Sequence, residues 1–214
     1  MTLQQLIDQF RAEVGDTAAP FMWPDASVLL WINEAIEEAA TRAKLIKDKS
    51  TVAICQINVI AGTSTYALDS RVLEIAFATM GTAGNAALFP ARLGIVTTDE
   101  LDQARPAWRA TTVKPSMLIK YDNSVEVDGI PDANYIINLE VYRRPLTSSA
   151  LATDTPEINA MHHRHLVKWV KFRAYQRRDA DTQDPIKSEE WLKQFEEVFG
   201  GRALLPNQKI GDAK

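Results

Sequence analysis

Apolar positions in the first fifty residues recur at three- and four-residue intervals. Leu3, Leu6, Ile7, Phe10 and Val14 share one face, which predicts an amphipathic helix ended by Gly15-Asp16. A short loop, Thr17 to Trp23, follows. Pro24-Asp25 then suits the start of a second helix, because Pro fits a first turn and Asp is able to cap free N–H groups. Val28, Ile32, Ala35, Ile36, Ala39, Ala43 and Ile46 line its inner face, and it should run out near Lys47 to Lys49. Two helices joined by so short a link are expected to form an antiparallel hairpin.

From Ser50 the period changes. β-Branched residues crowd the stretch from Thr51 to Ile60, which predicts a strand, with Ala61 to Ser64 as a turn and Thr65 to Leu68 continuing the pairing. Further strands are expected at Arg71 to Thr79, Ala87 to Ile95, Met117 to Tyr121, Ser124 to Val127 and Tyr135 to Arg143, and a short helix start at Thr98 to Leu101. Asp128-Gly129 and Pro131 to Asn134 separate the last two strands. Pro145 to Pro156 is polar, and helical spacing returns from Ile158 to Asp179 and from Pro185 to Phe199, where Gly200-Gly201 stops it.

Each helical pair carries an apolar stripe that it cannot bury alone. The expected fold is therefore α+β: a four-helix bundle formed by the N- and C-terminal hairpins, residues 1–49 and 156–201. A small antiparallel β sandwich or barrel is inserted as residues 50–146, with a linker at 147–155 and an extended tail at 202–214.

Composition narrows the function. With 46% hydrophobic and 24% charged residues, 214 residues are enough to bury a core. The net charge of −4 lacks the basic excess of a dedicated duplex-DNA binder. One cysteine, Cys55, excludes a disulfide within one chain and a cysteine-based zinc site, and is expected to lie buried in a strand. The first residues have neither the basic nor the apolar region of a signal peptide, and no run reaches the roughly 18 apolar residues of a membrane span. A reducing, cytosol-like compartment and no membrane partner are the expectation.

No nucleophile elbow, phosphate-binding loop, dinucleotide fingerprint or zincin motif occurs, so neither an enzyme nor a cofactor is expected. The carboxylate pairs Glu37-Glu38 and Glu189-Glu190 sit among polar neighbours and are expected to be solvated. All three histidines fall between Met161 and His165. His162 and His165 share a helix face at a spacing that suits a metal, but no carboxylate or cysteine stands within a turn of them; solvated or interface histidines are the alternatives.

The third helix holds the most informative pattern. Leu166, Val167, Val170 and Ala174 form its core stripe, and Arg164, Lys168, Lys171, Tyr175 and Arg178 form a basic flank. His165, Trp169, Phe172 and Gln176 lie opposite the core, where a bundle helix should be polar. Either the β insert or the tail covers Trp169 and Phe172, or a neighbouring subunit does. The basic flank is a solvated face, a subunit contact to acidic residues such as Glu34, Glu37 and Glu38, or a phosphate-facing surface that would make the chain a nucleic-acid-binding protein.

Several segments in order carry a family resemblance: Phe21-Met22-Trp23-Pro24-Asp25, Trp31 to Ala35, Ala61 to Leu68, Arg105 to Trp108, Ile130 to Asp132, Val141 to Pro145, His163 with Leu166-Val167, and Phe195 with Phe199-Gly200-Gly201. Together they resemble the head-to-tail adaptor (connector) proteins of tailed bacteriophages, the group that includes the tubular adaptor of short-tailed phages. Asp69-Ser70 departs from the pattern, since the family often has Pro after the Tyr-x-Leu. The resemblance implies a virion structural protein, assembled in the host cytoplasm as a homo-oligomeric ring, with twelve copies the expected number. Such a ring docks under the portal protein, meets a downstream tail or nozzle protein and passes DNA through its lumen. It also implies that the segment from Ala203 to Lys214, with Leu204, Leu205, Pro206 and Ile210, binds the portal, and that Trp169, Phe172, His165, Arg164, Lys168, Lys171, Arg178, Glu34 and Glu38 belong to the subunit interface.

Overall fold

A computed structural model of the chain describes residues 1–82, 91–151, 153–177 and 183–202. It is a mixed α and β structure with two compact units, Met1–Ile46 with Pro145–Lys214, and Lys47–Arg144.

The first unit is helical. Helix α1 (Leu3–Val14) opens with a capping box, in which Thr2 and Gln5 satisfy each other's backbone N–H groups, and closes on Gly15 at φ 77°. Helix α2 (Asp25–Ala43) ends earlier than its apolar spacing suggests: Lys44 turns left-handed at φ 49°, and Lys47 leaves the helical run for a strand. Asp25 does not cap this helix. Pro24 holds the cap position without a side-chain bond, and Asp25 pairs instead with Arg11 at 2.5 Å. The buried Arg11 also reaches Asp16 at 2.6 Å and the Trp23 carbonyl at 2.9 Å, so one guanidinium braces the whole loop between α1 and α2.

The chain returns to this unit through a strap rather than a free linker. Asn33 donates to the Ser149 carbonyl at 3.0 Å and accepts from its N–H at 2.9 Å, while Leu3 N–H donates to the Asp154 carbonyl at 2.9 Å. Helix α5 (His163–Gln176) begins after a 3-10 turn at Ala160–His162, later than Ile158, and α6 (Pro185–Phe199) follows. Asp184 caps α6 through the Lys187 N–H, with Pro185 in its first turn. Helix α5 packs against α1, α2 and α6, and all four contribute to one core that includes Leu6, Phe10, Ile32, Leu166, Val170 and Phe195.

The second unit is built around sheets. Strands β1 (Lys47–Asp48) and β2 (Gln56–Val59) both pair with β11 (Tyr135–Arg143), which in turn pairs with β4 (Val72–Thr82), and β4 with β5 (Ala91–Arg92). The nine residues of β11 alternate strictly between buried and half-buried, the period-two signature of a one-faced strand. A second sheet runs β3 (Thr65–Ala67), β9 (Ser124–Val127), β8 (Met117–Lys120), β6 (Gly94–Val96), with β6 parallel to β8. A short parallel pair joins β7 (Thr112–Val113) to β10 (Ile130–Pro131). Helix α4 (Thr98–Ala104) carries its own capping box from Thr97 and Glu100.

Three strand expectations need correction. The run from Thr51 to Ile60 is not one strand: Val52–Cys55 forms a single helical turn, α3, before β2. Asp48 causes this, because its carboxylate accepts from the Ser50 and Thr51 N–H groups at 2.9 and 3.1 Å and from Thr51 Oγ1 at 2.7 Å, curling the backbone ahead of the turn. Thr65 to Leu68 does not continue the pairing with β2; β3 pairs with β9 in the other sheet. Of the expected strand Ala87 to Ile95, residues 87–90 lie outside the described residues, and the rest divides between β5 and β6, which belong to different sheets.

Buried charge closes the base of this unit. Arg143 donates from Nε to Asp48 at 2.6 Å with both side chains nearly inaccessible, so the strand that enters and the strand that leaves are stapled to each other. Farther along, Gly129 sits at φ 127°, where a Cβ would lie 2.6 Å from the Thr111 carbonyl oxygen; only glycine fits. That turn delivers Asp128 to the N–H groups of Ser116 and Met117 at 2.7 and 2.9 Å, beside a satellite core of Leu101, Trp108 and Ile119.

Candidate functional site

Helix α5 is where the sequence places the outward-facing aromatic residues, and here the structure departs from it most. Trp169 is buried at 7% exposure, and its ring stands 5.0 Å from Phe172 and 5.1 Å from Phe195. Phe172 is half-buried against the same core. The cover comes from α6 and from Arg42 of α2, whose guanidinium lies 5.3 Å from the Trp169 ring. Neither the β region nor a neighbouring subunit is needed, so the expectation of an exposed aromatic patch is overturned. The physical reason is that α5 is central: with α1, α2 and α6 against it, an apolar stripe on one face is not enough.

The basic flank is largely spent within the chain as well. Lys171 is buried; its ammonium pairs with Glu13 and lies 3.8 Å from the centre of the Trp191 ring. Burial pulls the Glu13 carboxyl up, and the bonds from Lys171 and Gln9 outweigh it and hold it below its ordinary value. Lys168 is half-buried with Nζ 3.4 Å from the Gln194 carbonyl, and Arg164 is exposed. Arg178 lies outside the described residues. A phosphate-facing surface therefore loses Lys171, its central cation.

The acidic residues of α2 are also engaged. Glu34 pairs with Arg173 at 2.9 Å and accepts from Trp169 Nε1 at 3.4 Å. Glu38 pairs with Arg42 at 2.8 Å, one helical turn on, and with Arg202 beyond α6. Arg42, its side chain 4% exposed, also reaches Glu196 at 3.1 Å and the Gly200 carbonyl at 3.3 Å. Arg42 thus binds α2 to the end of α6, a role that sequence reading missed. Its only signal was the Glu38–Arg42 spacing of four, which is common on solvated helices.

The histidines are packed rather than solvated. His163 is buried, with Nε2 2.9 Å from the Ile158 carbonyl and Nδ1 2.9 Å from the Met1 amino group. A carbonyl only accepts, so Nε2 carries the proton and Nδ1 accepts. His162 and His165 flank the Phe199 ring at 5.7 and 6.4 Å. Burial, then Lys168 and His162, pushes the His165 imidazole below its ordinary pKa. Among the described residues no group of three metal-ligating side chains comes together. No helix among them is long and apolar enough to cross a membrane. Leu204, Leu205, Pro206 and Ile210 lie outside the described residues.

A cross-braced helical unit whose charges are used to tie helices together has the makeup of a structural component. The family model described as SU10 adaptor protein matches residues 1–212, and the chain belongs to that family. It is thus a phage adaptor protein, in line with the head-to-tail resemblance of its sequence, and membership supports a structural role in the virion and contact with portal and tail proteins. No curated protein matches the chain.

Proposed function

We propose that the protein forms the head-to-tail adaptor ring of a virion, docked under the portal and continuing its channel so that DNA passes through the lumen. The observation that carries this reading is the family match over residues 1–212, which takes in both units and the C-terminal segment. In this reading the N- and C-terminal helical pairs form a four-helix bundle, 1–49 with 156–201, that packs between about a dozen copies. The inserted β domain, 50–146, faces the next tail or nozzle protein, and assembly takes place in the host cytoplasm. Subunit contact falls to what α5 still presents to solvent, Arg164 with the half-buried His165 and Lys168, which supports a polar interface rather than an aromatic one. Leu204, Leu205, Pro206 and Ile210 give the tail its apolar anchors for the portal. The segment has too few apolar residues to fold alone, so it would order on binding.

Mixing the protein with its portal and imaging the complex by electron microscopy tests the whole reading. A ring under the portal is expected, and deletion of residues 203–214 should leave a folded protein that no longer docks. A portal left bare, or normal docking of the truncated protein, would count against it.

A further inference from the structure

We infer that Glu38 and Arg202 form a latch that fixes where the chain leaves α6 and so positions the C-terminal segment for docking. The docking half of this inference rests on the reading of that segment as the portal-binding tail.

The need for a latch comes from the glycines. Gly200 stands at φ 87°, and around both Gly200 and Gly201 a Cβ would meet nothing within 4 Å. A glycine pair in open space has no steric preference for one exit direction. Tertiary contacts must set it, and two of them converge here. Arg42, held in α2 with its side chain almost inaccessible, donates to the Gly200 carbonyl at 3.3 Å and so pins the first glycine. Past the second, the Arg202 guanidinium closes on Glu38, with Nε 3.3 Å from Oε2 and Nη2 closer still to Oε1. Both oxygens of one carboxylate are thus engaged across 164 residues of sequence.

The chemistry keeps this latch closed and makes it separable from the fold. Burial pulls the Glu38 carboxyl up, but the bonds from Arg202 and Arg42 prevail and hold it below its ordinary value, so it stays charged at neutral pH. The Glu38 side chain is 20% exposed and that of Arg202 74%, so Arg202 can be changed without opening the core. Fixing the start of a segment that orders on binding removes part of the entropy lost when it docks. Glu38, which the sequence offers as a subunit contact, is thereby a positioning residue for the chain's own tail.

Two readouts test the latch, one of which does not involve the portal. Spin labels on Gln4→Cys and Ala203→Cys, with the buried Cys55 left unreacted, report the exit direction by pulsed electron paramagnetic resonance. The wild-type background and Arg202→Lys should give a narrow distance distribution, and Arg202→Glu a broad one, with melting temperatures unchanged. Portal affinity should fall about two- to fivefold for Arg202→Ala, the range that an exposed ion pair supports, and recover in Arg202→Lys. A narrow distribution in Arg202→Glu would overturn the latch itself. Unchanged docking of Arg202→Glu, beside lost docking of the 203–214 deletion, would overturn its positioning role. Normal docking of that deletion would instead overturn the tail reading, while the distance distribution still decides whether the latch exists.

Discussion

Trp169 separates two physical pictures of α5, and replacing it with alanine decides between them. A tryptophan side chain buries on the order of 200 Å². At about 25 cal/mol per Å² that burial is worth about 5 kcal/mol, and a denatured chain that is already partly collapsed reduces it to about 3–4 kcal/mol. Large-to-small substitutions of core aromatics fall in the same range, about 3–5 kcal/mol. In this structure Trp169 touches Phe172 and Phe195, lies near Arg42 and reaches Glu34, so all of that loss belongs to the single chain. Urea denaturation of the isolated protein, followed by far-ultraviolet circular dichroism, is the assay. With a urea slope of about 2 kcal/mol per M, the helical transition should shift down by about 1.5–2 M. The shift should be the same at low and high protein concentration. A change below about 0.5 kcal/mol, or one that appears only on assembly, would show that Trp169 waits for a neighbour and would refute the argument from burial.

Two further outcomes concern the β unit. Asp48→Asn removes the partner of the buried Arg143, so it should destabilise that unit by about 3–5 kcal/mol in thermal or chemical unfolding. Burial pulls the Asp48 carboxyl up, but its bonds from Thr51, Ser50 and Arg143 hold it far below the ordinary 3.8. Because the folded pKa is the lower one, this stabilisation is fully present above about pH 4 and fades as pH falls below it. Unfolding measured between pH 2 and 5 should thus depend less steeply on pH in Asp48→Asn than in the parent, and equal slopes would refute the assignment. Burial, reinforced by Asp48, pushes the Cys55 thiol up to about 11, which leaves about one thiol in a thousand ionised at pH 8. Thiol reagents should label Cys55 at pH 8 only as fast as the β unit opens; labelling at the rate of a free cysteine would contradict its burial.

Much of the fold was legible before any coordinates. Helix α1, its capping box and its Gly15 stop, the strands Met117–Lys120, Ser124–Val127 and Tyr135–Arg143, and α6 with its Pro185 start all follow from local signals, because hydrogen bonding within four residues and a periodic apolar face determine them. The core stripe Leu166, Val167, Val170 and Ala174 was legible for the same reason. The candidate site was not. Whether an aromatic residue facing away from the core stripe is exposed depends on how many neighbours its helix has, and sequence period counts only one.

Charge shows the same division. The sequence lists Glu34, Glu38, Lys171 and Arg202 as ionisable residues on helices and a tail, available to any partner. Their actual partners, Arg173, Arg42 and Glu13, lie on other elements or share a turn, and Arg202 meets Glu38 across most of the chain. Pairing at that separation is settled by packing, since an ion pair forms where the core brings two side chains within reach and not where the sequence makes them near. Local periodicity therefore determined the elements and their inner faces. Tertiary structure alone decided that α5 is enclosed, that its aromatics are core, and that the acidic face of α2 holds the chain's own end.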